Sequence, residues 1–200
     1  MKSKKINMVI NRIWCMPNKW TFQMKPAKDL INKYLTSGWV DPFAGKYSPA
    51  EITNDIENRG AQFQMDALEF LRSLQDDSCQ GVLFDPPYSS EQCLRLYKAK
   101  CKGTMGRTEY WSKCKDEICR IIVPDGIAIS FCWDSCGISG KRGFEIIEIL
   151  LLCHGAGHND TIITVERKSD INKTENHKIT VKNLMKKRRY KNYSLFDEED

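Results

Sequence analysis

Residues 79–88 read Cys-Gln-Gly-Val-Leu-Phe-Asp-Pro-Pro-Tyr, a short apolar run stopped by an acid, two prolines and an aromatic residue. Six residues of this kind bounded by a rigid turn predict a buried strand over Cys79–Phe84 that ends at Asp85. The two prolines fix the backbone, remove its donors and leave the carbonyl of Pro86 free to accept. A carboxylate, a fixed carbonyl and the face of Tyr88 at one strand end make a site for a planar ligand that carries an NH2 group. The bland alternative is a proline turn with an exposed tyrosine.

Outward from this strand the pattern alternates. On the N-terminal side, 67–74 reads as a helix, 62–65 and 51–54 as short strands, and Gly38-Trp39-Val40-Asp41 as another strand. Before them Pro26–Leu35 has Pro at a helix start and apolar residues on one side, at Ala27, Leu30, Ile31, Tyr34 and Leu35. On the C-terminal side, Thr108–Val123 is the longest predicted helix, ended by Pro124-Asp125-Gly126, and Gly126–Trp133 is a second buried strand. Phe144–Leu152 and Thr161–Val165 read as a closing pair of strands. Alternation of this kind predicts an α/β fold with a mostly parallel sheet, whose ligands sit beyond the strand C-termini.

The chain has 200 residues, 41% hydrophobic and 28% charged, which suits one globular domain and excludes collagen, coiled coil and disorder throughout. That domain is expected over 1–168, with an N-terminal segment 1–38, a core 39–168 and a tail 169–200 that is basic and then acidic. No apolar stretch suits a secretory signal or a membrane span; Glu148 interrupts the longest run, Ile146–Cys153. The expected location is therefore the cytoplasm, with the nine cysteines reduced. Cys132-x3-Cys136 with His154-x3-His158 has a zinc-like order, but Cys132 falls in an apolar strand, so no metal is expected.

The net charge of +5 hides an acidic centre between basic flanks. A window from Arg95 to Lys115 holds Lys98, Lys100, Lys102 and Arg107 against one acid, Glu109. The tail carries Lys187, Arg188 and Arg189 in a run from Lys178 to Lys191 without an acid. These windows suit a polyanion, or else plain solvated surface; phosphate contacts of this sort bind without reading sequence.

Several segments in this order resemble one family. They are Asp41-Pro42-Phe43-Ala44-Gly45, Asn54-Asp55, Asp66-Ala67-Leu68-Glu69-Phe70-Leu71, Asp85-Pro86-Pro87-Tyr88, and His158-Asn159-Asp160-Thr161-Ile162 with Glu166-Arg167-Lys168. Over roughly residues 19–168 the chain resembles S-adenosylmethionine-dependent N6-adenine DNA methyltransferases of the small phage-associated type. The resemblance implies a Rossmann-like methyltransferase sheet, mostly parallel with a closing antiparallel strand and abbreviated helices. It implies S-adenosyl-L-methionine as cofactor and DNA as partner. Asp41, Phe43 and Gly45 would meet the methionine part of the cofactor, Asp55 its ribose, and Asp66 with Ala67 its adenine. Lys25 matches a further cofactor motif loosely. Asp85 and Pro86 would accept from the exocyclic amine of the target base, Pro87 would stiffen the turn, and Tyr88 would stack on a base flipped out of the duplex.

Departures from the family pattern carry expectations of their own. Tyr47 stands where the first motif usually has a second glycine. Only six residues separate Gly45 from Ile52, too few for the usual crossover helix, so one sheet face needs cover from the helix at 26–35 or from a second copy in a homodimer. Methyl transfer to N4 of cytosine, to adenine in RNA or to a glutamine amide would use the same amine geometry. An inactive nucleic-acid-binding module is the reading from a different class.

Overall fold

The apolar run at 79–84 becomes β4 (Cys79–Phe84), and its side chains alternate between the two faces of a buried sheet. Val82 and Phe84 join one core and Leu83 the other. The computed structural model describes residues 8–97, 108–155 and 157–169. Lys98, Lys100, Lys102, Arg107, Lys187, Arg188 and Arg189 all lie outside the described residues.

The other strands are β1 (Val9–Trp14), β2 (Trp39–Asp41), β3 (Ile52–Thr53), β5 (Ile122–Cys132), β6 (Phe144–Cys153) and β7 (Thr161–Lys168). They form one sheet in the order β1-β6-β7-β5-β4-β2-β3. Only β7 runs antiparallel to its neighbours, between β5 and β6, so the expected mostly parallel sheet with a closing antiparallel strand is observed. From β2 the chain steps outward to β3 and then returns to the far side of β2 as β4. The strand order therefore reverses between the parallel strands β2 and β4, which opens a crevice at their C-terminal ends.

Two layers of helix cover the sheet. On one face α2 (Ala67–Ser73) and α4 (Thr108–Ile121) bury Phe70, Leu71, Cys114 and Ile118 against Val40, Val82 and Ala128. On the other a 3-10 turn (Thr21–Gln23) and α1 (Lys25–Tyr34) bury Phe22, Ala27, Leu30 and Ile31 against Trp39, Leu83, Ile129 and Phe131. Right-handed crossovers explain the division. The return from β3 to β4 puts α2 on the first face, so a crossover helix from β2 to β3 would have lain on the second. Residues 42–51 form only turns. α1 takes the vacant place on that face.

A buried carboxylate anchors α1. Glu148 of β6 accepts from Lys33 Nζ and Tyr34 Oη, each at 2.6 Å, and from Asn11 Nδ2 at 3.4 Å. Burial opposes its charge, but Lys33 and Tyr34 outweigh burial and hold it below the usual glutamate range.

Several boundaries differ from the sequence reading. The helix predicted to Val123 ends at Ile121, because Ile122 already pairs with Cys79. Pro124-Asp125-Gly126 is not a helix stop but an irregularity inside β5, with Asp125 at φ 62 and Gly81 resuming the ladder opposite Ile127. The strand predicted at 62–65 is a single bridge, Asn54 to Phe63. Edge strand β1 and helix α3 (Ser90–Tyr97) were not foreseen. Among the described residues no helix is long and apolar enough to cross a membrane.

Trp39, fully buried, lies opposite Gly81, and its indole occupies the space a Cβ there would need. Gly81→Ala is therefore expected to destabilise the protein by about 1–3 kcal/mol through overpacking, read as a lower midpoint in urea at unchanged slope.

Candidate active site

The crevice is built from the ends of β2, β3 and β4. Asp41, the last residue of β2, is fully buried; its Oδ1 accepts the Phe43 N–H at 2.9 Å and its Oδ2 the Ser48 hydroxyl at 2.6 Å. The carboxylate thus shapes the loop that follows it. Gly45 sits in that loop at φ +52, a conformation glycine adopts without strain, and its N–H reaches Asp55 Oδ2 at 3.0 Å. Asp55 Oδ1 accepts the N–H groups of Glu57 and Asn58, each at 2.8 Å. Among the described residues, three of the about four lone-pair positions on the Asp55 carboxylate are filled. Asn54 clamps the same region, donating to the carbonyls of Pro42 and Met65 and accepting the Met65 N–H, all at 3.1 Å.

Beside this loop is a small, partly open cleft with a cavity volume of about 10 Å3, lined by Phe43, Ile56, Met65, Ala67 and Tyr97 among others. Asp66 borders it as the N-cap of α2: Oδ1 accepts the N–H groups of Leu68 (2.9 Å) and Glu69 (3.2 Å), and Oδ2 the Tyr110 hydroxyl (2.9 Å). Its carboxylate is engaged with protein on both oxygens, while Ala67 faces the cleft.

At the end of β4, Asp85 is half-buried and Pro86 and Pro87 are buried. The Tyr88 hydroxyl donates to Asp85 Oδ1 at 2.8 Å, and the Tyr88 N–H to Gln92 Oε1 of α3 at 2.7 Å. The Tyr88 ring meets Trp133 edge-on, with centroids 5.4 Å apart. Burial pushes the Asp85 carboxyl up to about 6, against hydrogen bonds from Tyr88 and Thr21. Burial likewise pushes Asp41 up to about 7, resisted by Ser48 and Phe43 and helped by the charges of Asp85 and Asp55. Tyr97 is raised by burial first and then by the nearby charges of Asp55, Asp85 and Asp41 among other groups. The result is a cluster of carboxylates beside a small apolar slot.

The structure brings Asp41, Phe43, Gly45, Asp55, Ala67, Asp85, Pro86, Pro87 and Tyr88 to the same end of the sheet. Lys25 is placed elsewhere: its exposed ammonium pairs with Asp29 at 2.6 Å, one turn along α1. The part of that segment that reaches the crevice is Thr21, at Asp85, with Trp20 packed by Gly45. A lone Thr or Trp in a loop has no periodic signal, and neither Trp133 nor Tyr97 shows its role before the fold brings it in. The zinc-like residues are used otherwise: Cys132 lies 3.5 Å from Asp134, whereas His154 bonds the Cys15 carbonyl (2.8 Å) and the Thr161 hydroxyl (3.0 Å), with β7 between the two pairs. Glu166 is buried, accepting the N–H groups of Ile138 and Ser139, and Lys168 pairs with Asp77 at 2.9 Å, so this end of β7 is a structural rim.

No protein-family model matches the chain. No curated protein matches it either. Among solved structures it is similar to the 1,6-didemethyltoxoflavin-N1-methyltransferase of Burkholderia thailandensis, solved with 1,6-didemethyltoxoflavin and S-adenosylhomocysteine bound. The TM-score is 0.52 at 11% identity, over 73% of this chain and 78% of that one. This chain has the Rossmann-like fold of that methyltransferase. Two further likenesses are to the N-methyltransferase NodS of Bradyrhizobium japonicum (TM-score 0.46, 10% identity, 70% of this chain and 90% of that one) and to TrmN of Thermus thermophilus (TM-score 0.46, 14% identity, 72% and 49%).

Asp41 gives this fold a testable pH signature. Its folded carboxyl titrates near 7 and its unfolded one near 3.8, so between those values the folded state binds more protons and stability falls as pH rises. The melting temperature of the wild type should drop from pH 5 to pH 8, and Asp41→Asn, which cannot titrate, should flatten that slope; equal slopes in both would show that Asp41 does not carry it.

Proposed function

We propose that this chain transfers the methyl group of S-adenosyl-L-methionine to the exocyclic N6 amine of adenine in DNA. The observation that carries the reading is the turn Asp85-Pro86-Pro87-Tyr88 at the end of β4, where a carboxylate, a donor-free backbone and two aromatic rings converge. The neighbouring pocket suits the cofactor. Apolar surface at Phe43, Met65 and Ala67 suits packing on a flat adenine ring, Asp55 Oδ2, which among the described residues accepts only the Gly45 N–H, is placed to accept from a ribose hydroxyl, and the carboxylates of Asp41, Asp55 and Asp85 favour a cationic ligand. The engaged carboxylate of Asp66 leaves Ala67 as the adenine contact. When bound, the cofactor supplies an electrophilic methyl group on sulfur.

The residues supply position and charge. Asp85 and the Pro86 carbonyl accept the two N–H groups of the amine, which aims its lone pair away from the base plane and disperses the positive charge that develops on nitrogen. Tyr88, held by its bond to Asp85, and Trp133 present ring surface to a base taken out of the duplex. Asp85 must be ionised to accept both from the amine and from Tyr88.

Tritiated methyl transfer to duplex DNA, single-stranded DNA and RNA, followed by nucleoside mass spectrometry, tests the reading directly. N6-methyladenine in DNA is the expected product, and its absence from all DNA samples would sink the proposal. Asp85→Ala should lower kcat by about 100- to 1,000-fold while leaving calorimetric cofactor binding within a few-fold of wild type. For the wild type, kcat/KM should rise with pH through about 6, as Asp85 loses its proton, and then level off.

A further inference from the structure

Tyr47, which replaces a small residue in the loop after β2, does not fill the pocket. Its ring turns outward, 40% exposed, and meets Trp20 edge-on with centroids 5.4 Å apart. Each ring carries an exposed lysine: Lys19 Nζ lies 5.0 Å from the Trp20 ring and Lys46 Nζ 5.1 Å from the Tyr47 ring. Among the described residues neither ammonium has a carboxylate partner, although three acids lie just behind the loop. Two uncompensated cations beside two rings form a surface with the opposite charge to the pocket it adjoins.

Its place in the fold gives it a use. Thr21, next to Trp20 in sequence, is close enough to Asp85 to hold its carboxyl down against burial, and the Trp20 ring would lie 3.7 Å from a Cβ on Gly45. The patch therefore borders the crevice on the side of the acceptor turn. The cluster of carboxylates draws a cation, whereas Lys19 and Lys46 call for an anion, and the rings beside them offer flat apolar area. A polymer of phosphates and bases meets both demands.

Resting on the function proposed above, we propose that Lys19, Trp20, Lys46 and Tyr47 form a platform for a DNA strand flanking the target adenine. The lysines leave the rings for phosphates, and the rings stack on bases without regard to sequence. A platform of this kind lies outside the basic windows at 95–115 and 178–191 and is supplied by loops of the catalytic unit itself.

Fluorescence anisotropy with labelled oligothymidylate tests this, since that strand has no adenine to methylate. Lys19→Ala with Lys46→Ala should reduce the slope of log affinity against log salt by about 1.4, from two phosphates at roughly 0.7 each on a single strand. Tyr47→Ala should weaken binding by about five- to 100-fold and Tyr47→Phe should restore it, because only the ring is needed. An unchanged salt slope in the lysine pair, wild-type binding by Tyr47→Ala, or loss of cofactor binding in place of strand binding would each overturn the platform. Methyl transfer by the wild type to duplex DNA, measured alongside, separates the two readings: transfer with no effect of these variants removes the platform alone, whereas no transfer to any DNA removes the function and leaves the platform to the oligothymidylate result.

Discussion

The pairing of β2 with β4, made close by the Trp39 indole lying over a strand position with no side chain, is the constraint on which the crevice depends. It sets Asp41 and Asp85 at the same end of neighbouring strands, at the point where the strand order reverses. Each acid stands at the start of a loop, and each loop is then fixed by bonds back to its acid: Phe43 and Ser48 to Asp41, Tyr88 to Asp85. The same carboxylates that hold the loops give the pocket its negative field. That economy has an electrostatic cost, visible in the raised carboxyls of Asp41 and Asp85.

The short β2–β3 connection reshapes the rest of the molecule. With turns in place of a crossover helix, one sheet face is left to the N-terminal segment, and α1 covers it. The Glu148 bonds to Lys33 and Tyr34 fix how α1 sits, so the turn just before it delivers Trp20 and Thr21 to the crevice. A saving of chain in one loop is thus tied to the arrival of new residues at the site. The same loop carries Lys46 and Tyr47 outward, where a longer connection would have led into a helix.

Much of this was legible in the residues. The apolar run before Asp85-Pro86-Pro87 could be little other than a buried strand, whereas Asp66, a cofactor contact by the family resemblance, caps α2 in the structure. Legibility failed where a segment's state depends on partners far away in sequence. Val9–Trp14 is a strand because β6 offers an edge, although every residue of it is exposed. Pro124-Asp125-Gly126 looks like a stop signal, yet the ladder with β4 carries β5 through it.

By itself the sequence determined the alternation of strands and helices, the acids at strand ends and the rigid turn that presents Asp85, because these follow from local burial patterns and from the fixed geometry of proline. Only the tertiary structure decided which acids share one pocket, that Thr21 and Trp133 stand beside Asp85 and Tyr88, that Lys25 pairs with Asp29, and that Tyr47 faces outward. Periodicity records which face of an element is buried. It contains no record of which distant segment comes to cover that face, and the neighbours that tune a carboxylate or complete a surface come from there.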